Sequence, residues 1–125
     1  MSSPVLALVV AICGGLGAIG RYGLDSAVQR RIRRATPYGT ITVNIVGSFV
    51  LGVVTGLATH HHLSAQFETV VGVGFCGGLT TFSTASFETV RLLREGLPKA
   101  AFNAAVGGVT LSCLAGVAGL ALALA

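Results

Sequence analysis

Four stretches of the chain carry no Asp, Glu, Lys or Arg: Met1–Gly20, Ala35–Phe67, Thr69–Phe87 and Ala100–Ala125. Their lengths are 20, 33, 19 and 26 residues. A helix needs about 20 mostly apolar residues to cross the hydrocarbon core of a bilayer, so each stretch suffices for one crossing and none for two. Within them the apolar residues run consecutively, as over Val5–Ile12 and from Leu114 onward. Spanning β-strands need alternation of apolar and polar residues, and this pattern lacks it. The pattern therefore predicts an all-α membrane protein, a single transmembrane domain over residues 1–125 with helices at about 4–29, 37–58, 65–95 and 98–124. The punctuation agrees. Pro4 suits a first helical turn, Pro37-Tyr38-Gly39 is turn chemistry, His60-His61-His62 fills the second loop, and Pro98 opens the last helix.

Composition sharpens this reading. Hydrophobic residues make up 53% of the chain, glycine adds 18 more positions, and charged residues are only 10%, against roughly 25% in a soluble domain. That excludes a disordered chain, a nucleic-acid-binding module and most water-soluble enzymes. The N-terminus lacks the basic region of a cleaved signal peptide. Cys13, Cys76 and Cys113 all fall within apolar runs and read as small packing residues. With four crossings, the first and third loops share one face, and all eight Lys and Arg belong to it. Basic loops stay cytoplasmic, which predicts one fixed orientation in the inner (plasma) membrane with both termini outside. Arg30-Arg31-Ile32-Arg33-Arg34 is the densest part of that signal. It reads as a topology and anionic-headgroup determinant, with an anion-gathering vestibule as a compatible sharper reading.

Several patterns lead nowhere. Gly15-Leu16-Gly17-Ala18-Ile19-Gly20 matches a dinucleotide fingerprint, but it lies inside a membrane helix with no acidic residue about 20 positions later. Consecutive histidines in a loop do not converge on a metal, and no nucleophilic triad can be assembled in the membrane. Small residues repeat every fourth position in helix 2 (Ser48, Gly52, Gly56) and helix 4 (Gly108, Ser112, Gly116), which predicts close helix contacts inside the chain and in a dimer. A small four-helix multidrug-type exporter is the rival reading. Its chemistry needs a carboxylate deep in a helix, whereas Asp25, Glu68, Glu88 and Glu95 read as lying near helix ends.

The unusual segment is Gly77-Gly78-Leu79-Thr80-Thr81-Phe82-Ser83-Thr84-Ala85-Ser86, a glycine pair followed by five hydroxyl residues at membrane depth. Gly77-Gly78 invites a break, and broken membrane helices are tolerated where they line a polar cavity and are used for ion sites. Carbonyls freed at Gly77 and Thr80 suit a small hard cation such as Na⁺. The alternative is hydroxyls bonding back to their own helix. Asn44 in helix 2 reads either as helix–helix glue or as an NH₂ donor to an anion, and the positive edge of Phe82 can also face an anion. A path of amide, hydroxyls and ring edges without Lys or Arg suits a small anion, because it replaces water without trapping the ion.

On these residues the chain resembles the Fluc fluoride channels, also called CrcB. The resemblance rests on Gly17-Ala18-Ile19-Gly20-Arg21-Tyr22, on Gly39-Thr40 to Asn44 with Gly47-Ser48-Phe49, and above all on Gly77-Gly78-Leu79-Thr80-Thr81-Phe82-Ser83-Thr84. It implies a passive, fluoride-selective exporter that relieves fluoride toxicity. It also implies an antiparallel dimer with two pores and a structural Na⁺ at its centre. Carried over, Asn44 is the pore asparagine and Phe82 the first phenylalanine of the aromatic box. Thr81, Ser83 and Thr84 supply hydroxyls at the break, Ser112 is a weaker match to the polar track, and the carbonyls of Gly77 and Thr80 face Na⁺.

One position departs. The family pattern places a second box phenylalanine where this chain has Ala85, and Phe87 is turned about 200° from that position on a helix. A homodimer would lack half of both boxes, and a chain with eight-to-zero charge bias inserts one way only. Together these readings favour a heterodimer with a homologous chain of opposite bias, in which this chain is one subunit, conducting or non-conducting.

Overall fold

The computed structural model describes all residues from Met1 to Ala125. Four helical spans account for nearly all of them: Ser3–Arg31, Tyr38–His60, Ala65–Arg94 and Pro98–Leu124. Each is long and apolar enough to cross a bilayer. We label the first two α1 and α2. The third consists of α3 (residues 65–79) and α4 (Phe82–Arg94), and the fourth is α5 (Pro98–Leu124). The ends fall within a few residues of the sequence boundaries, because prolines and caps set them. Pro37 caps α2 from outside instead of opening it. The Ser64 hydroxyl accepts from the Phe67 N–H at 3.2 Å at the start of α3. Gly96 ends the third span with φ +75, a left-handed turn that glycine enters without strain.

Winding is not uniform. Thr69–Cys76 in α3 and Asn103–Gly107 in α5 are π-helical, a wider i→i+5 turn that shifts the facing of the residues beyond it.

Packing is organised in two crossed pairs made close by glycine. α1 lies on α3: a Cβ at Gly17 would collide with the Phe75 carbonyl, and one at Gly78 with the Gly14 carbonyl. α2 lies on α5: a Cβ at Gly52 would strike the Gly116 carbonyl, and one at Gly119 the Phe49 carbonyl. Backbone meets backbone at these points, which is how helices gain dispersion contact in lipid, where hydrophobicity gives no driving force. The small-residue stripes of α2 and α5 thus face each other within one chain, since Gly116 also approaches Ser48. The glycine-rich Gly15–Gly20 segment is continuous α-helix.

The loop sides agree with four crossings. Gln66 approaches the Met1 carbonyl at 3.5 Å and His61 the Ala123 carbonyl at 3.2 Å, so both termini and the second loop share one face.

Candidate functional site

The third span is interrupted, but not at the glycine pair. Gly77–Leu79 is still helical. Thr80 (φ −84, ψ 160) and Thr81 (φ −151, ψ 122) are extended, and helix resumes at Phe82. The expectation of a break at Gly77-Gly78 is therefore corrected by about three residues. Gly78 serves close packing on α1, and side chains hold the break.

Those side chains can be named. The Thr81 hydroxyl accepts from the Thr84 N–H at 3.1 Å, capping α4, and donates to the Thr84 hydroxyl at 3.1 Å. The Ser83 hydroxyl lies 3.3 Å from the same oxygen. On the other side, the Thr80 hydroxyl and N–H both donate to the Cys76 carbonyl at 2.9 Å. Asn44 then clasps the gap from α2. The Thr81 N–H donates to Asn44 Oδ1 at 2.7 Å, and Asn44 Nδ2 donates to the Thr81 carbonyl at 2.9 Å. This reciprocal pair fixes which end of the amide is nitrogen, because an N–H must meet an oxygen and a carbonyl must meet a donor. One Asn44 N–H remains uncommitted. Asn44 is thus helix–helix glue, and it still has a donor to offer.

The clasp has a cost for α3. In an unbroken helix the Thr81 N–H would serve the Gly77 carbonyl, and that donor is now spent on Asn44. The Gly77 carbonyl is thereby released from its helical partner, and a Cβ at Gly77 would meet nothing within 4 Å. The Thr80 carbonyl is less free: Arg21 Nη1 donates to it at 3.4 Å. In the sequence Arg21 stands only as a topological charge within a matching motif. Its reach across to the break is a tertiary fact that no local pattern announces.

A groove of about 560 Å³ runs along α2, α4 and α5 beside the break. Asn44, Thr81, Phe82 and Ser112 all line it, as do Ser48 and Ala85, and no charged residue does. The Ser112 hydroxyl is buried without a hydrogen-bond partner, a polar atom left unspent at the groove wall. The Phe82 ring is 82% exposed, held out from the helices of its own chain. Thr84 instead lines a smaller cavity of about 270 Å³ with Arg21, Asp25 and Thr81. Ser83 lines neither and meets the site only through Thr81. Phe87 does not line the groove.

One carboxylate lies elsewhere than its sequence position suggests. The sequence places Glu88 near a helix end, yet it is 9% exposed in the middle of α4, and its Oε2 is buried without a partner. Six helical residues beyond Phe82, it lies about 9 Å along the axis of α4 from the break. Nothing in its immediate sequence marks that burial.

Residues 8–120 match the family described as CrcB-like protein, Camphor Resistance (CrcB). The chain belongs to the CrcB family. Within it, the chain is 47% identical over 120 residues to a protein of Leifsonia xyli subsp. xyli named Fluoride-specific ion channel FluC 1, covering 96% of this chain and 86% of that one. It is 40% identical over 116 residues to Fluoride-specific ion channel FluC 2 of Cutibacterium acnes, covering 92% and 94%. A third relative, Fluoride-specific ion channel FluC 1 of Nocardia farcinica, is 47% identical over 109 residues, covering 87% and 71%. The CrcB match spans all four helices and both halves of the broken one.

Proposed function

We propose that this chain is a pore-forming subunit of a fluoride-selective channel that lets F⁻ leave the cell down its gradient. The observation that carries the reading is the Thr80–Thr81 break, held by Asn44 beside a groove of hydroxyls, one amide and the Phe82 ring, with no Lys or Arg on its wall. Fluoride is small and strongly hydrated, so its passage requires donors to replace water. The spare Asn44 N–H and the unpartnered Ser112 hydroxyl are such donors, and the exposed Phe82 edge adds positive potential. Neutral donors let the ion go as readily as they take it. No proton transfer, nucleophile or redox chemistry enters. Thr81, Ser83 and Thr84 contribute by holding the break through the Thr81 hydroxyl, which all three share.

The relatives carry the name fluoride-specific ion channel, and that supports the choice of anion. The chain is proposed to work as an antiparallel dimer in the inner membrane, with its basic loops cytoplasmic. A single chain offers a hard cation only the carbonyls of Gly77 and Thr80, so a structural Na⁺ fits where two copies of that pair meet. The released Gly77 carbonyl suits the role, and the Arg21 contact weakens Thr80 as a ligand. Ala85 at the groove wall and the one-sided charge favour a homologous partner of opposite bias over a second identical chain.

The test is fluoride efflux from liposomes holding the purified chain, followed with an ion-selective electrode and with chloride as control. Rapid fluoride-only efflux is expected from the conducting dimer. If the chain alone is silent while folded, the heterodimer reading expects efflux once the partner is co-reconstituted. Silence in both preparations refutes the channel reading. Fluoride and chloride efflux at equal rates refutes the selectivity.

A further inference from the structure

The loop after α1 concentrates four arginines, and the chain supplies none of them with a counter-charge. Arg30 and Arg31 form the last turn of α1, and Arg33 and Arg34 follow within three residues; all four are exposed. The chain has four acidic residues. The Asp25 carboxylate packs against the backbone of Gly39 in the first turn of α2. Glu88 is buried in α4. Glu95 faces Arg91 at 3.8 Å. Glu68 lies in the first turn of α3, beside the second loop, on the opposite face of the domain. None meets Arg30, Arg31, Arg33 or Arg34. Four like charges within five residues repel one another unless anions from outside gather between them.

The position of the loop says which anions. At 29 residues α1 is about 44 Å long, against a hydrocarbon core of about 30 Å and a full bilayer of about 40–45 Å. Its last turn therefore emerges at the depth of the lipid phosphates. Ile32, in the middle of the cluster, is 40% exposed. Guanidinium groups match phosphate oxygens in bidentate geometry.

We propose that this arginine loop is a binding site for anionic phospholipid headgroups. The site is independent of the channel reading, since none of its residues lines the groove.

The test uses the full-length purified chain in neutral detergent, titrated with phosphatidylglycerol or phosphatidylcholine of identical acyl chains and read by native mass spectrometry. Each arginine near an anionic surface adds about fivefold to binding. The wild type is expected to prefer phosphatidylglycerol by at least about tenfold. Replacing Arg30, Arg31, Arg33 and Arg34 with Gln is expected to bring the preference to about one. Because that variant alters the end of α1, Arg33→Gln/Arg34→Gln, which leaves the helix intact, is measured beside it and is expected to fall between the two. A wild-type preference near one overturns the proposal, as does a double variant with the full wild-type preference. Loss of the preference in millimolar inorganic phosphate, with phosphate itself retained on the protein, would make free phosphate the ligand and overturn the lipid assignment.

Discussion

Asn44→Asp separates the two jobs assigned to one amide. The carboxylate keeps an acceptor for the Thr81 N–H at 2.7 Å. Its second oxygen, however, replaces the donor that faces the Thr81 carbonyl at 2.9 Å. Losing that bond and leaving a buried carbonyl unpaired costs about 1–3 kcal/mol of local stability. The larger effect is electrostatic. A fixed negative charge about 4 Å from the path of F⁻ repels it by about 4 kcal/mol at an effective dielectric constant of about 20. That corresponds to roughly a thousandfold fall in flux. Asn44→Ala provides the control, because it removes both bonds of the clasp and adds no charge. The assay is fluoride efflux from liposomes, run on whichever assembly conducts in the native form, with retention on a sizing column as the check of folding. The expected order is wild type, then alanine, then aspartate, with aspartate far below alanine. Equal flux in the two variants would show that Asn44 acts only through the Thr81 backbone and would remove it from the anion path. Wild-type flux in both would refute the clasp as well.

Other expectations follow from the same geometry. Phe82→Ile should lower fluoride flux at least tenfold while leaving assembly on a sizing column unchanged; normal flux would dismiss the ring-edge contribution. Ala85→Phe should raise the flux of the chain reconstituted by itself, and no gain would count against the incomplete-box explanation. Thr81→Val keeps the shape but removes the cap on α4, at a cost of about 1 kcal/mol. Hydrogen exchange should then quicken at residues 82–84, and unaltered protection there would mean that the cap does not hold the break. Gly52→Ala places a methyl 2.9 Å from the Leu120 nitrogen and against the Gly116 carbonyl. Overpacking of about 1–3 kcal/mol should lower the thermal midpoint in detergent, and an unshifted midpoint would show that α2 and α5 can separate freely.

Much of this architecture is legible in the sequence because the membrane forces it. Charge-free runs the length of a bilayer can only be spans, and prolines and basic clusters mark their ends. The break at Thr80–Thr81 is less legible. Gly77 and Gly78 look like its cause because glycine is flexible, but Gly78 is glycine so that α3 can touch the Gly14 carbonyl. The actual break depends on a hydroxyl cap from Thr81 and an amide 37 residues away on α2. That second partner is invisible until the helices are docked. The same holds for Arg21, whose reach to the Thr80 carbonyl links positions 59 residues apart, and for Glu88, buried by neighbours that its own sequence does not contain. The candidate site is legible as a set of residues. Its division into groove-lining Asn44, Thr81, Phe82 and Ser112, with Thr84 on a second cavity and Ser83 on neither, is not.

The glycine-lined pairing of α1 with α3 and of α2 with α5 interleaves the chain, and it has a consequence for biogenesis. During synthesis α1 and α2 enter the membrane while their glycine-lined partners are still unmade. The backbone of α2 waits for residues 108–124, the last to leave the ribosome, before its groove can close. Neither half of the chain holds a glycine-lined pair of its own, so both of those contacts wait until helices from the two halves are inserted. A chain split in the second loop, with both fragments expressed together, should for that reason regain its structure less readily than the intact one, because both pairs then have to form between separate fragments.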